Sequence, residues 1–361
     1  MNPNIGQIVK AIKENRCVVF AGAGVSCHAG LPDWHNLTKK LYEGLNAKDL
    51  ISQEFHSTIS ALLLNRDNVL KVMEILLLAS NRKHVTSELR DILKPTKKSV
   101  VHDTLKKIKF RGFITTNYDR LLEEVIDPDS FRLKNSLDNL ALVLTAVKTP
   151  GQFLLKLHGD IDDILPPDNL NVTRGASFMV LSMSDYAVLV QTERGEALRQ
   201  ALRAIFQDAS ILFLGYSFSD PDINQALEFL NRHLVFPNES WFIGLKNETL
   251  PNLPRNVTGI KLFNDWTELP TFLDEIYGNY ISTPPIQGIK PREISEEDKR
   301  ALIALGEFIH GLEEEDLCER ILAGIIIEEL PSSMRKCNTW RNGPIGGTLG
   351  VYGETIHAHQ S

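Results

Sequence analysis

The apolar run CVVFA ends in glycines and small polar residues that could bind a phosphate. Gly22 and Gly24 would let the backbone approach a pyrophosphate, and a following helix that contains Ser26 would direct amide N–H groups at it. The spacing is GxGxxC, because Cys27 stands where the usual dinucleotide-binding pattern has its third glycine, and no clear acidic residue follows about 20 residues later. Taken alone, the turn fits a nucleotide site and a purely structural glycine turn equally well.

A second run, FITT, delivers Asn117 and Asp119 at its end. Ligands of open α/β sheets bind in the crevice at the carboxyl ends of the strands, where these side chains could hold ribose hydroxyls or a carboxamide. The alternative is an Asx cap that opens a helix over residues 118–125. That structural alternative is favoured if this motif is considered in isolation.

Two further runs end in the same manner. FLLKL precedes His158, which is well placed to act as a general base, although a local backbone hydrogen bond would also account for a histidine there. SILFLGY contains Gly215 and is followed by Ser217. Four predicted strands each end in, or are followed by, Gly, Asn, His or Ser. This convergence favours a functional site over four unrelated turns.

The alternation of apolar runs with amphipathic stretches predicts a Rossmann-like α/β fold, with a parallel sheet and helices on both faces. The predicted strands are residues 17–22, 112–116, 153–157, 210–216 and 240–245. The predicted helices are residues 4–15, 99–109, 119–126, 194–207, 220–234 and 267–278.

Residues 36–95 break the alternation, because they carry helical patterns without convincing strands. We therefore expect a helical insertion, forming a smaller lobe, within a catalytic domain that covers residues 1–285. A proline-rich linker then leads to a C-terminal helical extension and tail at residues 286–361.

Composition excludes several classes of protein. The net charge of −7 disfavours direct binding of nucleic acid, which needs an excess of Lys and Arg. The four cysteines form no CxxC pair, which argues against a zinc module or a disulfide framework. No apolar run approaches the ~20 residues of a membrane span, and none resembles a signal peptide. We expect a cytoplasmic protein that does not enter membranes.

The motifs GAGVS, GLPDW, TTNYD, LHGD and GYS, taken together and in this order, resemble those of the sirtuin-like family. The resemblance covers roughly residues 15–280 and is closest to bacterial sirtuin-like domains of antiphage systems, which degrade NAD. This chain departs from deacetylase sirtuins in lacking two zinc-binding CxxC pairs after the HG motif. Thr116 replaces a glutamine, Trp34 replaces a phenylalanine, and Asp160 and Tyr216 replace smaller residues.

The resemblance implies roles for individual residues. Asn117 would hold the nicotinamide ribose or the attacking water, and His158 would act as general base; these two are the expected catalytic residues. The expected NAD-binding residues fall into three groups around the substrate. They are Gly22, Ala23, Gly24 and Ser26 at the pyrophosphate; Asp33, Trp34, Thr116 and Asp119 around the nicotinamide end; and Gly215 and Ser217 at the adenosine half.

The resemblance also implies an activity, NAD glycohydrolysis to nicotinamide and ADP-ribose, in a gated effector of antiphage defence. NAD would be the substrate, and we expect no further cofactor and no zinc. We expect a homo-oligomer and a sensor partner, such as a HerA-type ATPase, an Argonaute or a nucleotide-sensing subunit. Two alternatives stay open: an NAD-dependent deacylase or ADP-ribosyltransferase, and a non-catalytic subunit that binds NAD or ADP-ribose.

Overall fold

A computed structural model of the chain describes residues 3–149, 151–163, 177–216, 238–246, 253 and 257–284. Its described strands form one seven-stranded sheet in the order β3-β4-β2-β1-β5-β6-β7, and every pairing is parallel. The strands are β1 (Cys17–Ala21), β2 (Gly112–Thr115), β3 (Phe131–Lys134), β4 (Phe153–Lys156), β5 (Ser210–Leu214), β6 (Ser240–Leu245) and β7 (Val257–Phe263). The predicted Rossmann-like parallel sheet is confirmed.

The five predicted strands are the most buried ones, because a strand covered on both faces is apolar throughout. Two strands, β3 and β7, were not predicted from the sequence. Both lie at the edges of the sheet. The β3 sequence FRLK is partly exposed and the β7 sequence VTGIKLF mixes apolar and polar residues, so neither forms a continuous apolar run.

Helices surround this sheet, and none within the described ranges is long and apolar enough to span a bilayer. They are α1 (Pro3–Lys13), α2 (Ala23–Ser26), α3 (Trp34–Ala47), α4 (His56–Leu62), α5 (Val69–Ala79), α6 (Arg82–Ile92), α7 (Val100–Lys107), α8 (Leu137–Lys148), α9 (Met183–Gln191), α10 (Glu193–Asp208) and α11 (Leu269–Ser282). The helix expected at residues 220–234 and the extension at residues 286–361 lie outside the described residues.

The helix predicted over residues 119–126 is wrong, because the structure has only a short 3₁₀ turn at Leu122–Glu124. In an α-helix the carbonyl of Asp119 would accept from the amide four residues later. Here that carbonyl accepts from Lys156 Nζ at 2.5 Å, and the Asp119 carboxylate accepts from the amide of Leu121 at 3.1 Å. The start of the segment is therefore held in a turn.

Each face of the sheet carries its own apolar core. On β1, Val18 and Phe20 face the core that α8 and α10 complete, whereas Val19 faces the core that α1, α7 and α11 complete. This division follows from the alternation of side chains along a strand. Helices therefore cover both faces of the sheet, as predicted.

Between β1 and the crossover helix α7, the chain forms helices α3 to α6, in agreement with the expected helical insertion. These helices share a third apolar cluster. Tyr118, Met179 and Leu181 also belong to that cluster, and they follow the carboxyl ends of β2 and β4. The insertion therefore packs over the ends of strands that deliver predicted site residues.

Candidate functional site

Four strand ends lie side by side in the sheet. Ala21 at the end of β1 pairs in register with Thr115 of β2 and Leu214 of β5, and Thr115 pairs with Lys156 of β4. The residues that follow these strands therefore emerge at one level, next to the point where the strand order reverses direction at β1. In open α/β sheets, ligands bind at such a crevice.

A cavity of about 430 Å³ occupies this crevice, within the size range of small-molecule sites. Eleven of the twelve predicted site residues line it, and Ser217 lies outside the described residues. The eleven are Gly22, Ala23, Gly24, Ser26, Asp33, Trp34, Thr116, Asn117, Asp119, His158 and Gly215.

The glycines after β1 and β5 pack directly against one another. The amide of Gly22 donates to Leu214 O at 2.9 Å, and the amide of Gly24 donates to Gly215 O at 3.0 Å. A Cβ at position 24 would lie 2.8 Å from Gly215 Cα, and Gly215 itself has a φ of +60°, which favours glycine. These glycines are needed for the close approach of two backbones, and the Gly24 amide is already paired.

A chain of hydrogen bonds orients Asn117. Its Nδ2 donates to Gly22 O and to Ser26 Oγ, both at 3.1 Å, and the Ser26 hydroxyl donates to Asp119 Oδ2 at 2.8 Å. Its backbone amide donates to Thr115 Oγ1 at 3.0 Å. Because both amide protons are used within the protein, the carbonyl oxygen of the Asn117 side chain is the group left for a ligand.

His158 follows β4 and is 2% exposed. Its ring meets the ring of Tyr186 edge-on, with 5.1 Å between centroids, and its carbonyl accepts from the amide of Val180 at 3.0 Å. Gly159 comes next with a φ of +69° and lets the chain turn sharply away. The imidazole is thus fixed by packing at the base of the cavity.

Trp34 and Asp33 begin helix α3 at the other side of the cavity. The Asp33 carboxylate accepts from the amide of Asn36 at 2.7 Å and caps the helix, so the expected carboxamide ligand also has a structural task. The half-buried Trp34 ring contacts Tyr118, with 5.6 Å between centroids. An aromatic wall of this kind suits a flat ring in a ligand.

The helical insertion completes the wall. Its residues Arg66, Asp67, Val69 and Leu93 line the cavity. The Arg66 guanidinium lies 3.9 Å from the Asp33 carboxylate, and both side chains are well exposed. The insertion therefore contributes directly to the cavity that the strand ends form.

Cys27 also lines the cavity, at the position that replaces the third glycine. Burial raises the pKa of its thiol, and the negative charge of Asp33 raises that pKa further. A thiol with a raised pKa is protonated at neutral pH and is a poor nucleophile. Among the described residues, no group of three or more His, Cys, Asp or Glu side chains is arranged to hold a metal ion.

A cluster of charged groups lies behind the loops that carry Asn117 and His158. Lys134 Nζ is 2.9 Å from both Asp160 Oδ2 and Asp163 Oδ1. Burial raises the pKa of Asp160, but the charges of Lys156 and Lys134, with hydrogen bonds from Lys134 and the amide of Asp162, outweigh burial and lower it overall. Burial lowers the pKa of Lys134, and its two carboxylate partners outweigh that and raise it.

Sequence reasoning missed several residues of the site. Thr115 bridges β1 to Asn117, since its hydroxyl donates to Ala21 O at 2.7 Å and accepts from the Asn117 amide. Tyr186 lies on a helix 28 positions after His158 and lines the cavity, and no sequence pattern indicates that it would lie there. Lys156 did carry a signal, because a lysine within a buried strand needs a charged partner.

Comparison with known proteins finds a matching family model and several similar proteins. Residues 111–256 match the family model for the SIR2-like domain. The chain is 27% identical over 237 residues to NAD(+) hydrolase ThsA of Acinetobacter baumannii (strain 532279), covering 63% of this chain and 42% of that protein. It is 25% identical over 234 residues to ThsA of Enterococcus faecium, covering 62% and 41%.

A third relative is defense-associated sirtuin 2 of Bacillus subtilis, which is 24% identical over 233 residues, covering 63% of this chain and 20% of that protein. The chain therefore spans about two fifths of the length of the ThsA relatives and a fifth of the Bacillus subtilis protein. A solved structure of a Sir2 enzyme aligns over 78% of this chain and all of its own, at 13% identity and a TM-score of 0.38. Over residues 111–256, the chain is thus similar to the SIR2-like domain.

Proposed function

We propose that this chain is an NAD glycohydrolase that releases nicotinamide and ADP-ribose and acts in bacterial antiphage defence. The observation that carries the proposal is the single cavity into which four parallel strands deliver Gly22, Asn117, His158 and Gly215. The names of the ThsA relatives, which are NAD(+) hydrolases, support the same activity.

Asn117 and His158 have the chemistry that such a reaction needs. The C–N bond between ribose and nicotinamide breaks with its electron pair leaving on nicotinamide, and a water oxygen bonds to the anomeric carbon. The Asn117 carbonyl oxygen would accept a hydrogen bond from that water or from a ribose hydroxyl. His158 would take the proton that the water loses. Orientation by fixed groups is a large part of such catalysis.

The other predicted residues would bind the remainder of the substrate. Trp34 and Tyr118 offer an aromatic wall for the nicotinamide ring. Ala23 and the neighbouring glycines would lie against the pyrophosphate, with Gly215 towards adenosine. Since the Gly24 amide is committed to Gly215, phosphate contacts would come from other groups of that loop.

The purified protein is incubated with NAD, with and without phage-infected cell extract as the source of an activator, and nicotinamide and ADP-ribose are separated by chromatography. We expect equal amounts of both products. Asn117→Ala and His158→Ala should each lower turnover by roughly 100-fold or more, a typical loss for removing a positioned proton-transfer group. Matched controls are Asn46→Ala and His84→Ala, which lie on α3 and α6 and do not line the cavity, and which should keep turnover within about threefold.

Other product patterns would favour the alternatives. Nicotinamide release that requires an added lysine peptide or acceptor protein would indicate a deacylase or ADP-ribosyltransferase. Binding of NAD without turnover, in the presence of phage-infected cell extract as the source of an activator, would indicate a non-catalytic subunit. Full turnover in both alanine variants would overturn the site assignment.

We further propose that the catalytic domain covers residues 1–285 and that the extension at residues 286–361 serves assembly or gating. A constitutively active NADase would deplete the cell, so activity needs a control such as homo-oligomerisation or a sensor subunit. Light scattering of the full chain, before and after addition of infected-cell extract, would report the change in assembly that accompanies NAD loss.

A further inference from the structure

Lys156 is a buried lysine at the end of β4, 2% exposed and two residues before His158. Its Nζ lies 2.5 Å from Asp119 O, 3.0 Å from Glu123 Oε1 and 3.8 Å from Asp160 Oδ2. Lys156 does not line the cavity of the candidate site. A buried ammonium is costly unless its charge and its hydrogen bonds are satisfied, and here both are.

The partners of Lys156 belong to two different loops. Asp119 and Glu123 follow β2, whereas Asp160 follows β4. The Asp119 carboxylate accepts from Ser26, and Ser26 in turn accepts from the Asn117 side chain. The ammonium thus contacts the backbone of the residue whose carboxylate begins the hydrogen-bond chain that orients Asn117.

On the β4 side, the ammonium faces a carboxylate that is itself held in place. Asp160 Oδ1 accepts from the Asp162 amide at 2.9 Å, and the Asp160 amide donates to Asp163 Oδ2 at 2.8 Å. Lys134 joins both carboxylates at 2.9 Å. The tight loop after His158 is therefore held by the carboxylates of Asp160 and Asp163, and Lys156 neutralises part of their negative charge.

Backbone hydrogen bonds join the same two loops in parallel with this charge network. The Leu157 amide donates to Thr115 O at 2.9 Å, and the Ile161 amide donates to Tyr118 O at 3.1 Å. Lys156 immediately precedes the first of these two bonds along β4. These backbone bonds and the ion pairs of Lys156 therefore link the same two loops.

We propose that Lys156 is a positioning residue, which fixes the loop of Asn117 relative to the loop of His158 for the reaction proposed above. The inference rests on that proposed function, and Lys156 itself touches no substrate. Displacing catalytic groups by about 1 Å lowers rates by roughly 100-fold, so the effect of removing the ammonium falls on kcat.

The test compares Lys156→Met with Lys109→Met, whose lysine forms an exposed ion pair with Asp127 away from the site. For each variant, NAD turnover and NAD affinity are measured, and hydrogen–deuterium exchange is followed over residues 115–123 and 156–163. We expect Lys156→Met to lower kcat by about 100-fold, to change the Kd for NAD by less than about threefold, and to speed exchange in both segments. Lys109→Met should change none of these.

Lys156→Met removes the nearest cation of the part-buried Glu123 and one of the two cations beside Asp160, which keeps Lys134. The loss could unfold the protein for that reason alone. The double variant Lys156→Gln, Glu123→Gln removes one charge of each sign and keeps a side-chain amide that can donate to Asp119 O. We expect the double variant to fold, with a kcat at least about fivefold higher than that of Lys156→Met. If Lys156→Met does not fold, the comparison is with wild type, and we expect the kcat of the double variant to be about 20-fold lower.

The outcomes separate the two proposals. Unchanged exchange in both segments, or a kcat within twofold of wild type in Lys156→Met, would overturn the positioning role. A wild-type protein that binds NAD without cleaving it would overturn the hydrolase. Faster exchange in both segments of Lys156→Met would then still support a link between the two loops through Lys156.

Discussion

The close packing of the glycine loops makes Gly22→Ala the sharpest test of how this site is built. A Cβ at position 22 would overlap Gly215 O and would lie 2.6 Å from Tyr216 Cα. Carbon atoms normally stay about 3.5 Å or more apart, so the loops after β1 and β5 would have to separate by ~1 Å. Both obstacles are backbone atoms, which cannot rotate out of the way as a side chain would.

The cost of that separation can be worked from the contacts. Overpacking costs ~1–3 kcal/mol. The hydrogen bonds from Gly22 to Leu214 and from Gly24 to Gly215 would lengthen, at about 1 kcal/mol each. Alanine has less conformational freedom than glycine in the unfolded chain, and this offsets the loss of stability by ~0.5 kcal/mol. The free energy of unfolding should fall by roughly 3 kcal/mol, which lowers Tm by about 6–12 °C for a domain of this size.

Thermal unfolding and NAD turnover measure the two consequences of Gly22→Ala. Turnover should fall by roughly 100-fold, because Gly22 O is a hydrogen-bond acceptor for the Asn117 side chain. The control is Gly278→Ala in α11, where a Cβ meets nothing within 4 Å. That change should stabilise the helix by up to ~1 kcal/mol and leave turnover alone. A Gly22→Ala protein with wild-type Tm and turnover would refute the argument.

Three further predictions follow from buried charges and from the cavity. Arg82 Nη1 donates to both oxygens of the buried Asp185 carboxylate, so Arg82→Met removes its cation and should cost about 3–5 kcal/mol at neutral pH. Burial raises the pKa of Asp185 even with Arg82 present. The difference in unfolding free energy between Arg82→Met and wild type, measured with urea, should therefore shrink as acid protonates Asp185. A difference that does not change with pH would contradict this. Because the pKa of Asp160 is lowered in the folded protein, its carboxylate stabilises the fold above about pH 4, and this stability is lost as pH falls below that value. Asp160→Asn should therefore reduce the fall in Tm on the acid side of a Tm–pH curve. An unchanged fall would mean that the ion cluster contributes nothing to stability. NAD should slow alkylation of Cys27 at about pH 9, read by mass spectrometry of the Cys27 peptide, whereas equal rates with and without NAD would place the substrate elsewhere.

The central strands and the residues at their ends were predictable because burial leaves a simple pattern. A parallel strand covered on both faces is a short apolar run, and the polar residue that follows it is conspicuous. Asn117 and His158 were found in this way, and the structure brings both to one cavity. The edge strand β3 was missed because its exposed side chains remove that pattern.

Other features depended on contacts between distant parts of the chain. The sequence context of Asp119 suggests a helix start, but a lysine 37 positions later donates a hydrogen bond to its carbonyl and holds a turn instead. Tyr186 reaches His158 from helix α9, and Thr115 acts through the neighbouring strand. Local propensity carries no information about partners of this kind.

The glycine motif at the end of β1 has a structural role in the fold, and its part in binding a nucleotide stays a prediction. Gly22 and Gly24 are structural, since they let two loops interlock around Gly215. The same interlock fixes Gly22 O, which positions Asn117, and Ser26 and Asp119 use their hydrogen bonds on that task as well. Several polar groups of the site are thus hydrogen-bonded to one another, and the carbonyl oxygen of the Asn117 side chain is the group left for a ligand. A site built in this way would act on its substrate through few groups, each held by several hydrogen bonds, and the proposed hydrolase would orient its reacting water in this manner.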